Sequence, residues 1–218
     1  MFKNLIFDLD GTLINSKKGI INSLYESFLR TKVDILIPKE EILIGPPLDE
    51  TIRICNNKLT SNEVESIKKN FKEIYDNKFF VLLQVYENVE LLLQILKTNN
   101  IKIFIGTNKR YIPTMKILKF LSWHNFFKEV YAIDRFHIPY KNKTQMLEKL
   151  LINENIKSNE TLYIGDRYSD YVASKKNKIS FIGADWGGSD FEPFNKDFNM
   201  IKHLDEQNIN FLISLFKV

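Results

Sequence analysis

Asn4-Leu5-Ile6-Phe7-Asp8-Leu9-Asp10-Gly11-Thr12-Leu13 is the stretch whose reading decides the fold. Apolar residues run up to Phe7, two acids follow at alternate positions, and a glycine comes at once. The pattern reads as a buried strand that stops at its carboxyl end beside a tight turn. Side chains two apart on a strand point the same way, so Asp8 and Asp10 are presented together. Neighbouring carboxylates need a cation, a shared proton or water to be tolerated. In open α/β sheets, ligands gather at the carboxyl ends of strands. A solvated Asp-Gly turn would also account for this segment alone, so the rest of the chain has to decide.

Downstream, apolar strands alternate with amphipathic helices. Ile101 to Gly106, Val130 to Ile133, Thr161 to Gly165 and Ile179 to Gly183 read as strands, the last being the final one. Helices are expected over Glu87–Thr98, Pro113–Leu121, Lys143–Leu151 and Asp170–Lys176. Such alternation implies a doubly wound parallel sheet with right-handed crossovers, a Rossmann-like α/β core.

Between the first strand and the rest, the spacing is helical. Ile20, Ile21, Leu24, Phe28 and Leu29 recur at helical intervals, Pro38 precedes a run suited to a helix start, and Thr60 with Glu63 forms a capping box. The domain reading is a core of residues 1–16 and 82–218 with an all-helical insertion at 17–81. Ile44-Gly45-Pro46-Pro47-Leu48 is a stiff break within it, either a turn or a loop that touches substrate. Arg53 is a further candidate contact.

Composition narrows the function. With 44% hydrophobic and 27% charged residues, the 218-residue chain can bury a core and is not a disordered polymer. The net charge of +4 comes from scattered lysines with no basic run, so no nucleic-acid partner is expected. The single cysteine, Cys55, excludes an internal disulfide, and three histidines without paired spacing give no zinc signature. No apolar run approaches a membrane span and no signal-peptide core is apparent, so a cytoplasmic protein without membrane partners is expected. Monomer and homodimer are equally compatible with the sequence.

Two further strand ends carry candidate chemistry. Thr107 and Asn108 end the Ile101 strand, where a hydroxyl, an amide and free backbone N–H groups suit a phosphate oxygen. Gly165-Asp166-Arg167-Tyr168-Ser169-Asp170 follows the Thr161 strand, placing Asp166 at a strand end and Asp170 at a helix start, where a carboxylate also favours the helix dipole. Tyr111, Trp123, Trp186, His124 and His137 read as packing or surface residues.

Asp-x-Asp-Gly-Thr after a strand, Thr-Asn after the second, and Gly-Asp-x-x-x-Asp after a later one resemble, in order, motifs of the haloacid dehalogenase-like superfamily. The resemblance spans Phe7 to about Gly188. It implies a third motif, a lysine near the start of the helix before Asp166: Lys143, with Lys141 as the alternative. The inserted helices resemble the cap of the phosphoglycolate phosphatase-like group. By resemblance, Asp8 is the nucleophile and Asp10 the acid and base. Thr107, Asn108, the lysine, Gly11 and Thr12 hold substrate or the loop around it. Mg²⁺ lies among Asp8, Asp10, Asp166 and Asp170. The implied reaction is hydrolysis of a small phosphorylated metabolite, a phosphate monoester, through an aspartyl-phosphate. A β-phosphoglucomutase-type phosphomutase shares these motifs, and a binding module that has lost catalysis is the remaining alternative. The second acid, Asp10, argues against a dehalogenase, since a departing halide needs no proton.

Overall fold

The computed structural model describes residues 1–42, 48–191 and 197–216. The chain forms two compact units, Met1–Asn15 with Gln84–Val218, and Ser16–Leu83.

The first unit is built on a six-stranded sheet. Its strands are β1 (Asn4–Phe7), β4 (Lys102–Thr107), β5 (Glu129–Ala132), β6 (Thr161–Gly165), β7 (Ser180–Ala184) and β8 (Asn199–Ile201). Their order is β5-β4-β1-β6-β7-β8, and every pairing is parallel. β1 is interior, Phe7 lies level with Ile105 on one side and Ile164 on the other, and all four of its residues are buried. Strands covered on both faces read as unbroken apolar runs, which is why Leu5-Ile6-Phe7 shows no polar alternation.

From β1 the chain winds outward through β4 and β5, then returns to the far side for β6, β7 and β8. Winding therefore reverses between β1 and β6, and such a switch point is where doubly wound sheets hold ligands. Helices α4 (Val89–Thr98), α5 (Tyr111–Phe120), α6 (Lys143–Asn153), α7 (Tyr168–Lys176) and α8 (Glu206–Ser214) complete the unit. Ile6, Phe104 and Tyr163 from the sheet pack with Met146, Leu147 and Leu150 of α6. The Asn142 side chain accepts the Gln145 N–H at 3.0 Å, so α6 opens with Lys143 as its first residue.

The sequence reading stopped one strand early. β8 and α8 follow β7, and a two-residue antiparallel ribbon joins β2 (Ile14–Asn15) to β3 (Gln84–Val85).

The second unit contains α1 (Lys17–Thr31), α2 (Leu48–Cys55) and α3 (Ser61–Ile74), with no strand among the described residues. Leu24, Phe28, Ile52, Ile67 and Phe71 form its core together with Cys55, whose thiol burial pushes up to about 11. That cysteine is a packing residue. The capping box forms as expected: Thr60 Oγ1 accepts the Glu63 N–H and the Glu63 carboxylate accepts the Thr60 N–H at 2.8 Å. The run after Pro38 departs from expectation. It makes only a 3₁₀ turn, Lys39–Glu41, because Ile42 takes an extended conformation and is buried in the core. Leu29, grouped with the apolar stripe of α1, is 76% exposed. Ile44 to Pro47, the candidate substrate loop, lie outside the described residues. Arg53 is exposed on α2. No described helix is long and apolar enough to cross a membrane.

Candidate active site

β1 ends at Phe7 and β6 at Gly165, so Asp8 and Asp166 leave adjacent strands side by side at the switch point. The Asp8 N–H still donates to Ile164 O at 2.9 Å, which holds Asp8 in register with the sheet. The chain then turns: Leu13 N–H donates to Leu9 O at 2.9 Å and Gly11 N–H to Ile14 O at 2.8 Å. Gly11 adopts φ +84, and a Cβ there would lie 2.1 Å from Asp166 Oδ2. Only glycine meets both demands, the left-handed backbone and the approach of the carboxylate. Thr12, fully buried, donates its hydroxyl to Asp166 Oδ1 at 3.2 Å. Gly11 and Thr12 were expected among the substrate-holding residues. In this structure the Gly11 N–H and the Thr12 hydroxyl are both engaged within the protein, and the close approach of Gly11 together with the Thr12 hydrogen bond fixes the Asp166 carboxylate.

A second support was missed from sequence. Trp186 Nε1 donates to Thr12 O at 2.8 Å, and Gly187 lies so close to Gly11 that a Cβ would stand 1.8 Å from its carbonyl oxygen. The Asp185-Trp186-Gly187 turn after β7 therefore straps the Asp10 loop. Trp123, by contrast, is a core residue whose Nε1 donates to Glu90, and His124 and His137 are exposed.

Asp8, Asp166 and Asp170 bring three carboxylate oxygens within 4.8 Å of one another, all buried. Asp170 is the third residue of α7. Its Oδ2 accepts the Arg167 N–H at 3.1 Å, closing the first turn, and its Oδ1 receives Lys143 Nζ at 2.5 Å. Lys143 also stands 3.3 Å from Asp8 Oδ1. That contact is an ion pair by distance, but it lacks hydrogen-bond alignment, and Asp8 Oδ1 is buried with no hydrogen-bond partner among the described residues. Lys141 is exposed and offers only its backbone N–H, to Gln145 Oε1 at 2.7 Å. The lysine brought into the cluster is Lys143.

Electrostatics follow from this crowding. Burial pushes the Asp8 carboxyl up to about 6, while Lys143 pulls it down and Asp170 raises it further. Asp166 is held well above the usual carboxylate range by burial, then by Asp8 and Asp170. Burial works against the Lys143 ammonium, yet Asp170 and Asp8 outweigh it and hold Lys143 above its ordinary value. Lys143 thus contacts two of the three carboxylates, Asp8 and Asp170, and draws Asp166 down together with Arg167. An orphaned buried oxygen beside a second carboxylate that burial and charge drive towards protonation fits a small divalent cation with hard oxygen ligands.

Asp10 points to a different partner. Lys109 Nζ contacts its two carboxylate oxygens at 3.1 and 3.0 Å. Thr107, 1% exposed at the end of β4, accepts the Lys109 N–H on its hydroxyl at 3.2 Å, and Asn108 is exposed beside it. Lys109 was overlooked in the sequence, although it directly follows the Thr-Asn pair.

The whole of this geometry lies on the unit that carries the motifs, and comparison with known proteins agrees. Residues 5–184 match the haloacid dehalogenase-like hydrolase family, and the chain belongs to that family. It is 30% identical over 206 residues to a protein of Listeria welshimeri named Pyrophosphatase PpaX, covering 92% of this chain and 93% of that one. Among solved structures, a haloacid dehalogenase-like hydrolase of Streptococcus pneumoniae superposes with a TM-score of 0.83 at 22% identity, covering 99% of both chains. A predicted phosphoglycolate phosphatase of Haemophilus somnus superposes at 0.81 with 20% identity, over 96% of this chain and 98% of that one.

Proposed function

We propose that the protein is a Mg²⁺-dependent phosphatase that cleaves a small phosphate monoester or pyrophosphate through a phosphorylated Asp8. The observation that carries this reading is Asp8 Oδ1, buried at the end of the central strand without a hydrogen-bond donor among the described residues, two residues before a second acid. An unsolvated carboxylate oxygen with Lys143 alongside is a competent nucleophile, and a pure binding site has no need of Asp10.

Asp8 would attack phosphorus in line, forming its own P–O bond as the bond to the leaving oxygen breaks. Asp10 would give its proton to that oxygen, then take one from the water that attacks phosphorus and frees Asp8. Lys143, Thr107 and Asn108 would hold the transferring oxygens, where positioning and charge supply most of the rate. Asp8 and Asp166 would hold the metal, with the Asp10 carbonyl; Asp170, both of whose oxygens are engaged, would orient Lys143 rather than ligate directly. Mg²⁺ bound there supplies charge neutralisation for the phosphoryl oxygens. The name of the Listeria relative supports pyrophosphate as one substrate. The helical unit is assigned a share in substrate choice, and the cytoplasm is the compartment that fits such a metabolite. The test is phosphate release from pyrophosphate and a panel of monoesters, with and without Mg²⁺. Release that requires Mg²⁺ and disappears in Asp8→Asn is expected. Release that survives the substitution would overturn the reading.

A further inference from the structure

We infer that Tyr163 is a positioning residue for the phosphoryl site: its hydroxyl braces the strand end that carries Thr107, and its ring underlies Lys143. This rests on the reading of Thr107 and Lys143 as groups that hold the transferring phosphoryl oxygens.

Tyr163 lies three residues before Asp166 on β6, level with Ile6 of β1, which is level in turn with Phe104 of β4. Its side chain is fully buried, packed with Ile6, Phe104, Leu147 and Leu150. A hydroxyl among such neighbours is costly unless it donates a hydrogen bond. Here it reaches past the central strand and donates to Gly106 O at 2.9 Å. At the usual spacing of about 4.8 Å between strands, β6 and β4 stand roughly 9.6 Å apart, a gap that a phenol and one hydrogen bond together span. Gly106 is two residues nearer the carboxyl edge than Phe104, so the ring leans towards the site as it crosses. The carbonyl it holds belongs to the residue before Thr107. That face of β4 has no room to spare: a Cβ on Gly106 would lie 3.0 Å from Ile6, 3.1 Å from Leu147 and 3.6 Å from the Tyr163 ring.

The ring also meets the cluster. Lys143 Nζ lies 5.8 Å from its centroid, within the roughly 6 Å over which an aromatic face attracts an ammonium. Lys143 is thus held by the Asp170 and Asp8 carboxylates and by this ring. Burial, then Asp170, Asp8 and Asp166, hold the phenol well above its ordinary value, so it remains a donor. Phenylalanine would fill the same space and keep the ring, but it would take this donor from Gly106 O. A residue that only packs would then lose stability alone, whereas a brace would also loosen the grip on the phosphoryl group.

The test measures the inhibition constant of orthovanadate, a mimic of the transferring phosphoryl group, in wild type, Tyr163→Phe and Tyr163→Leu, with the fastest substrate of the phosphate-release panel. An inhibition constant does not depend on how much of the protein is folded. In Tyr163→Phe it should rise about three- to tenfold, the span of one neutral hydrogen bond, while the Mg²⁺ concentration for half-maximal release stays within twofold of wild type. Tyr163→Leu, which also loses the ring beneath Lys143, should rise at least about threefold further. A rise of less than threefold in Tyr163→Phe, or an equal shift in the Mg²⁺ requirement, would overturn the inference and leave the phosphatase reading intact. Release from no panel substrate by the wild-type protein would overturn that reading, and this inference with it. Tyr163→Phe decides the matter alone if Tyr163→Leu folds poorly.

Discussion

Replacing Lys143 with methionine removes the one ammonium that contacts both Asp8 and Asp170. The side chains of Lys143, Asp8 and Asp170 are 6%, 7% and 0% exposed, so water cannot take its place. Taking one partner from a buried pair costs about 3–5 kcal/mol, because the remaining charge is left uncompensated. Here three carboxylates are left, within 4.8 Å of one another. They relieve the repulsion by binding protons, so the loss depends on pH. At pH 7.5 without divalent metal, Lys143→Met should be destabilised by about 3–5 kcal/mol, shrinking at pH 5, where protons are more available. Urea unfolding followed by tryptophan fluorescence is the assay. Trp123 and Trp186, the only tryptophans, both belong to the sheet unit and report its transition directly. Lys141→Met, at an exposed position, should stay within about 0.5 kcal/mol. A Lys143→Met protein within about 1 kcal/mol of wild type at pH 7.5, or one whose loss is the same at both pH values, would refute the electrostatic account of the cluster.

Two further outcomes follow from the same groups. Asp8 sits at about 6 in the folded chain against 3.8 unfolded, and Asp166 is raised as well. The metal-free folded state therefore binds more protons, and its stability should fall as pH rises from about 4 to about 6, by about 3 kcal/mol for Asp8 alone. Mg²⁺ held by the same carboxylates would compete with those protons, so its gain in Tm should be larger at pH 7.5 than at pH 5; an equal or larger gain at pH 5 in thermal melts would contradict this. Gly11→Ala should cost at least the roughly 1–2 kcal/mol of a left-handed non-glycine residue and displace Asp166, raising the Mg²⁺ concentration needed for half-maximal phosphate release. An unchanged Mg²⁺ requirement would show that Asp166 does not depend on that close approach.

What could be read from the sequence was whatever a strand end makes visible. Asp8, Thr107 and Asp166 each terminate an apolar run, so their place at the carboxyl edge follows from periodicity. Roles that depend on tertiary neighbours were not legible. Nothing local shows that the Thr12 hydroxyl reaches Asp166, or that an indole 174 residues away caps the Thr12 carbonyl. Lys109 looks like any of the many lysines until β4 and β1 are laid side by side. The missed strands were short: β2 and β3 have two residues each and β8 three, too few for alternation to register. The misplaced helix after Pro38 shows burial of Ile42 overriding a local start signal.

The central claim is that Asp8 becomes covalently phosphorylated. Acid quenching of the Mg²⁺-loaded enzyme during turnover of ³²P-labelled pyrophosphate, followed by peptide mapping, tests it most directly. The account predicts an acid-stable, hydroxylamine-labile label on the peptide containing Asp8, absent from Asp8→Asn. Steady turnover with no label on the protein, or a label mapped to another residue, would contradict it.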